Sequence, residues 1–470
     1  MFNDDENDFG PIEDLLWAYQ SIKAGNKPGR FLEAEDFEAI AEYYIHHHRA
    51  KDAQEAIHIA LQFHPQSIEL MVMKVEMLLE AQNFGQALNT LDEIELINPF
   101  HMPSIILRSD VLMEMEKEEE AIRNLLNKIE KVDDRDKIEL LMSLSDIYDE
   151  LARFEAVYDA LIEVLRIDPD YAEALYKLSF WADLANKNEE SITFHQQLLD
   201  ANPFNQIAWY NLASAYHSRK QYEEAIDAYE YCIALDEQVE AAYRNVADAY
   251  MKVKKFDLAI EALEKNLEIG KPEDVIYEAM GHCFEKKKDY SKARYYYRQA
   301  IKLSPADDLF FFRIGETYTR EKKYELAYES YLSAFKLNEE NHSYAYALGL
   351  CQLETGNAKD AVIYFLKSIS LKPNQKNTWI QLSKALYHLE LFEEVINQKE
   401  IAEEHCGEKA EFEFIHAAAL LAQGKSKEAL SFLKKGLEMA SSKIKLLQEL
   451  QPDVLTRKSV ADLVAQYRKK

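Results

Sequence analysis

The chain has 470 residues, of which 48% are hydrophobic and 30% charged, a balance that supports folding and excludes a disordered chain. Its formal net charge of −29 argues against duplex nucleic acid as a partner, because that interaction needs Lys and Arg to neutralise phosphates. No apolar run approaches the roughly 18 residues that cross a bilayer, and only 12 Gly and 11 Pro interrupt the chain, which favours helix nearly throughout.

Residues 1–10, MFNDDENDFG, are acidic where a secretory signal would be basic and then apolar. They are expected to form a disordered tail, and the protein is expected to be cytoplasmic, with no membrane insertion. Residues 12–24 place Leu15, Leu16, Trp17, Tyr19 and Ile22 on an amphipathic helix, and residues 25–30 read as a linker.

A repeat follows. In AWYNLASAYHSRKQYEEAIDAYEYCIALD, Trp209, Leu212, Ala213 and Tyr216 stand at helical spacing, a turn falls near Arg219 to Gln221, and Tyr222, Ala225, Tyr229 and Cys232 mark a second helix. The second-helix alanine recurs every 34 residues, at Ala225, Ala259, Ala293, Ala327 and Ala361, continues as Val395 and returns at Ala429. Backwards the position holds Ser191, Val157, Ala121, Ala87 and Ala53, and one step, from Ala121 to Val157, is 36 residues long. Its two extra residues are expected in a longer turn within 131–137. Phased this way, twelve repeats begin at Ala34, Ile68, Met102, Ile138, Ala172, Gln206, Glu240, Asp274, Asp308, His342, Lys376 and Ala410. The third repeat carries Arg108 and Lys128 at usual core sites, the eleventh Lys399 and the twelfth His416. Residues 459–470 read as a final helix with Val460, Leu463, Val464 and Tyr467, fitted to cover the apolar end that a repeat array exposes.

A 34-residue helix–turn–helix period with a small first-helix residue, a second-helix alanine and a closing proline (Pro65, Pro99, Pro169, Pro203, Pro305, Pro373) resembles the tetratricopeptide repeat, TPR. The chain is also similar to uncharacterised bacterial multi-TPR scaffold proteins. The resemblance implies an all-α, right-handed superhelical solenoid. Its expected parts are an acidic tail with N-terminal helix over 1–33, the array over 34–443 and a C-terminal capping helix region over 444–470.

In TPR proteins the first helices of successive repeats line a concave groove that holds the ligand. By that analogy the second, fifth, ninth, twelfth and thirteenth residues of each repeat face the groove. In repeats one to four these positions give Glu35, Glu38, Glu42, Glu69, Glu76, Glu80, Asp110, Glu114, Glu139, Asp146, Asp149 and Glu150, with no Lys or Arg among them. Residues 1–200 hold 43 acids and 17 bases, whereas residues 201–470 hold 41 and 38. The expected partner is a protein or peptide with a basic contact segment. Tyr176, Phe180, Tyr210, Phe312 and Tyr346 add aromatic groups to the same lining, and Arg244, Lys252, Lys286 and Arg320 bring positive charge to repeats seven to nine. Asn211 and Asn245 match one asparagine site of the carboxylate-clamp TPR proteins, but the flanking Lys and Arg do not align, so a clamp of that kind is not expected.

No phosphate-loop, nucleophile-elbow or metalloprotease motif occurs. His46, His47 and His48 are consecutive and so diverge around a helix. Cys232, Cys283, Cys351 and Cys406 are widely spaced and are expected to be buried reduced thiols. The expectation is a non-enzyme with no catalytic residue, metal or cofactor: a scaffold or adaptor or, alternatively, a non-catalytic regulatory or chaperone-like subunit of a larger complex.

Overall fold

Each repeat closes on itself through one backbone feature. At its fifteenth residue the chain enters the left-handed region, from His48, Gln82 and Glu116 through Ala152, Asn186, Lys220, Lys254, Lys288, Lys322, Gly356 and Glu390 to Gly424, with φ between 52° and 84°. The turn stops the first helix and returns its last carbonyls to hydrogen bonds. In repeat six, the Lys220 N–H donates to the His217 carbonyl at 2.8 Å and the Gln221 N–H to the Tyr216 carbonyl at 2.9 Å. The second helix then begins at once.

These helix pairs are seen in a computed structural model that describes residues 10–26 and 30–468. The described residues are all-helical, with no strand. Consecutive helices run in packed pairs from Ala34–His46 with Ala50–Phe63 to Ala410–Ala422 with Ser426–Ala440. Eleven of the twelve predicted first residues are the first residues of helices. The fourth differs: its first helix is Asp134–Glu150, not one starting at Ile138. The Asp133 carboxylate caps it, accepting from the Arg135 and Asp136 N–H groups, and Asp134 and Asp136 add negative charge to the first turn. The inserted residues therefore lengthen a helix instead of the turn.

The pairs belong to two compact units, Met1–Glu237 with repeats one to six and Gln238–Lys470 with repeats seven to twelve. In both, the repeating alanine is completely enclosed: Ala53, Ala87, Ala121 and Ala225 in the first, and Ala259, Ala293, Ala327 and Ala361 in the second, have no exposed surface, as small residues between packed helices should.

At the start of the first unit, helix Gly10–Lys23 lies against repeat one. Leu15, Ala18 and Tyr19 are buried with Phe37, Ile40 and Tyr44, and Gln20 donates to the Tyr44 hydroxyl at 3.2 Å. Trp17 does not share this face; it is 66% exposed, because Leu15, Leu16, Trp17, Tyr19 and Ile22 span more of the helix than one stripe covers. Of the expected acidic tail (1–10), residues 1–9 lie outside the described residues and Gly10 begins the first helix; the middle of the expected linker (27–29) also lies outside the described residues.

In the second unit the chain after repeat twelve forms a 3₁₀ turn, Ser441–Ile444, then helix Lys445–Leu450, a second 3₁₀ turn, Pro452–Thr456, and helix Lys458–Arg468. Val460 and Val464 join the core of Leu433 and Leu437.

Polar residues at core sites are met locally. Arg108 pairs with Asp92 at 2.8 Å and Lys128 with Glu95 at 2.7 Å, across repeats two and three. Lys399 meets Glu403 at 2.8 Å and the fully buried Glu413 at 3.3 Å. His416 stacks on Phe432, 4.2 Å between ring centres. The four cysteines are unpaired, and Cys406 is only half-buried, unlike the other three.

Candidate interaction surface

The exposed face of the first helices is where the predicted acids stand. Glu35, Glu42, Glu69, Glu76, Glu80, Asp110, Glu114, Glu139, Asp146, Asp149 and Glu150 are exposed, and Glu38 is half-buried. Several are brought together. Partial burial, and then the charges of Glu69, Glu35 and Glu42, hold the Glu38 carboxyl above the usual carboxylate range. Partial desolvation by the surrounding side chains, and then Glu80, do the same to Glu76, and partial desolvation and then Glu150 to Asp110. The acids of neighbouring repeats thus sense one another across the face. One is neutralised from outside the five positions: Lys177 reaches Asp146 at 3.0 Å. Glu42, Glu76, Glu80, Asp110, Glu114 and Asp149 join no ion pair among the described residues.

The aromatic positions divide. Tyr176 and Phe180, one turn apart on helix Ala172–Leu184, are 69% and 60% exposed. Tyr210 is half-buried against Tyr229, 5.7 Å between ring centres. Phe312 is wedged between Tyr331 at 5.2 Å and Tyr344 at 4.9 Å, and Tyr346 lies 6.0 Å from Phe365. The last three therefore spend ring surface on intramolecular packing. In the second unit, Arg244 and Lys252 are exposed but engaged, with Glu273 at 3.5 Å and Asp248 at 3.6 Å. Lys286 and Arg320 are exposed without an ion pair among the described residues.

One occupant of this face was missed by sequence reasoning. The segment after repeat twelve crosses the predicted groove positions of the last two repeats. Glu449 pairs with Lys384, a ninth-position residue, at 2.7 Å. Gln451 donates to the Tyr387 hydroxyl at 2.9 Å, at a twelfth position, and to the Ala418 carbonyl at 3.0 Å. Leu447 and Leu450 are buried beneath it. The available signal was the leucine spacing in KLLQEL directly after the last repeat.

His47 turns its ring onto Tyr43, with Nδ1 2.7 Å from the Tyr43 carbonyl. Among the described residues no group of three His, Cys, Asp or Glu side chains is placed to hold a metal ion, and no helix is long and apolar enough to cross a membrane.

The helix-pair geometry is matched at the level of sequence families. A model described as "Tetratricopeptide repeat" matches residues 312–376, and one described as "Tetratricopeptide repeat protein 21 C-terminal ARM domain" matches residues 177–310. The chain is a TPR protein. TPR arrays are protein-interaction scaffolds in general, and this chain has that architecture. No curated protein sequence matches it. Similar solved TPR structures include YrrB, described as a TPR protein with an unusual peptide-binding site, at 20% identity over 39% of this chain and 95% of that one, TM-score 0.35. Another is the C-terminal part of a TPR repeat-containing protein from Cytophaga hutchinsonii, at 19% identity over 54% and 98%, TM-score 0.43. The APC/C hetero-tetramer Cut9–Hcn1 matches at 14% identity over 87% and 96%, TM-score 0.35.

Proposed function

We propose that this TPR protein is an adaptor without catalytic activity of its own, and that the first-helix face of repeats one to four holds a basic segment of a partner protein. The observation that carries the reading is the set of carboxylates on consecutive first helices, nearly all of them exposed, among which partial burial and then the neighbouring acids hold Glu38, Glu76 and Asp110 above their ordinary range. Clustered like charge weakens a folded state, and a cationic partner relieves that repulsion on binding. Tyr176 and Phe180, at the fifth and ninth positions of repeat five, offer the apolar contact that charge alone does not supply. Electrostatics of this kind speeds encounter and selects partners more than it sets final affinity. In the second unit, Lys286 and Arg320 would meet charge of the opposite sign.

The test is to capture partners with the full chain, map the contacting segment by cross-linking and mass spectrometry, and measure association at several salt concentrations. A basic segment cross-linked to repeats one to four, with association slowing as salt rises, supports the reading. An acidic or uncharged segment at this face overturns it.

A further inference from the structure

We propose that a cleft on the second-helix side of repeats five and six is a separate binding site for an arginine side chain of a partner protein. The cleft has a volume of about 300 Å³ and lies between the second helix of repeat five, Asn188–Ala201, and the two helices of repeat six, Gln206–Ser218 and Tyr222–Leu235. Its walls carry Asp200, Glu224 and Asp227 together with Trp209, Tyr216 and Tyr231.

The aromatic part is pre-built. Trp209 and Tyr231 stack with ring centres 4.7 Å apart and planes 20° from parallel. The indole is fixed by its N–H donating to the Pro203 carbonyl at 2.9 Å. Tyr216 is held from the neighbouring repeat by Gln196, which donates to its hydroxyl at 2.8 Å. Despite the stack, Tyr231 remains 58% exposed, so a flat ring surface faces outward that costs no further ordering to use.

The charged part is unneutralised. Asp200, Glu224 and Asp227 are exposed and form no ion pair or side-chain hydrogen bond among the described residues. Among the described residues no Lys or Arg lines the cleft. A carboxylate set beside an aromatic face matches a cation that is also planar, and guanidinium meets both demands: it stacks on the ring and donates in pairs to carboxylates. An ammonium group satisfies the charge but not the stack.

The acid-only lining belongs to this place and not to the fold. The cleft in the same setting near the N-terminus, about 550 Å³, is lined by Lys51, Lys74 and His58, and its Glu55 is already paired with Lys23 at 2.5 Å.

The experiment uses the full chain labelled with 5-fluorotryptophan, whose four resonances are assigned with Trp209→Phe. The probe is the tripeptide acetyl-Gly-Arg-Gly-amide, compared with its lysine and citrulline counterparts. The Trp209 resonance should shift saturably with the arginine peptide at millimolar concentration, shift less with lysine and not move with citrulline. Asp200→Asn combined with Asp227→Asn should abolish the shift while the other three resonances stay in place, which reports an intact fold. The same shift should persist when Glu42, Glu76 and Asp110 on the first-helix face are reversed to lysine, so the fate of this site is independent of that one. A static Trp209 resonance, an equal shift with citrulline or lysine, or a shift that survives the double asparagine variant overturns the proposal.

Discussion

Gly281 lies directly under the ring of Tyr297: a β-carbon added at that glycine would stand 2.5 Å from the ring. The same pair recurs as Gly315 with Tyr331 and Gly349 with Phe365, at the eighth and twenty-fourth residues of successive repeats. Repeat six carries Ala213 and Tyr229 at those positions, both buried, so a methyl group is tolerated after a small shift of the ring. Gly281→Ala is therefore expected to be nearly neutral, its clash offset by the roughly 0.5–1 kcal/mol that alanine gains over glycine in a helix. Gly281→Leu should destabilise by about 1–3 kcal/mol. Amide exchange over 274–303 reads this out, and equal protection in both variants would show that the contact is loose.

The left-handed residue in every turn gives a second expectation. Ala152 has φ 52° and is exposed, so Ala152→Gly removes backbone strain without removing a packed side chain. It should stabilise by up to about 1 kcal/mol, the strain of roughly 1–2 kcal/mol less the added freedom of the unfolded glycine. Gly356, with φ 84° at the same turn position, should respond in the opposite sense, Gly356→Ala costing about 1 kcal/mol. Thermal midpoints that move the same way in the two variants would contradict this.

Charge on the first-helix face should be visible without any partner. A carboxyl held above its usual range binds its proton more tightly in the folded chain, so folding loses stability as pH rises through that folded pKa. Glu38, Glu76 and Asp110 are in this condition. Reversing Glu42, Glu76 and Asp110 to lysine should raise the thermal midpoint at low ionic strength, and the gain should shrink in about 1 M salt, where screening acts within roughly 3 Å. Glu93, Glu155 and Asp159 on second helices, exposed and unpaired, provide the matched control. If both triple variants gain alike, the acids of the first-helix face do not act on one another.

His195 predicts an acid limit. It is fully buried on helix Asn188–Ala201, with Nδ1 2.8 Å from the Ser191 carbonyl and 3.2 Å from its hydroxyl. Burial lowers its pKa from 6.5 to about 4. A histidine depressed in the folded state binds fewer protons folded than unfolded, so stability is full above about 6.5 and falls as pH drops toward 4, by roughly 3 kcal/mol. His195→Leu should flatten the stability profile between these values, as followed by circular dichroism melts. A profile unchanged in shape would place the acid sensitivity elsewhere, with His416, also lowered to about 4 by burial, the next residue to vary.

The sequence by itself determined the elements. A 34-residue spacing of small and aromatic residues can be satisfied only by helix pairs of constant length, because each repeat must bury its stripe against the next. That is why the first residues of Ala172–Leu184, Gln206–Ser218 and Asp274–Lys286 were legible to the residue. The acidic character of the first helices was legible too, since it depends only on which positions of a repeat face outward. Tertiary structure decided what periodicity does not encode. Trp17 and Tyr19 are equally apolar, yet only Tyr19 meets Phe37 and Tyr44. Phe180 and Phe312 share the aromatic character of the predicted lining, yet Phe312 is consumed by packing on Tyr331 and Tyr344 while Phe180 stays open. Lys399 stands at a core position because, besides Glu403 on its own helix, it meets the fully buried Glu413 of the next repeat. Glu449 reaches Lys384 across 65 residues, a contact that arises only when the chain folds back over its own last repeats. In each case the deciding partner lies on another helix, and the identity of that partner is a property of packing, not of spacing.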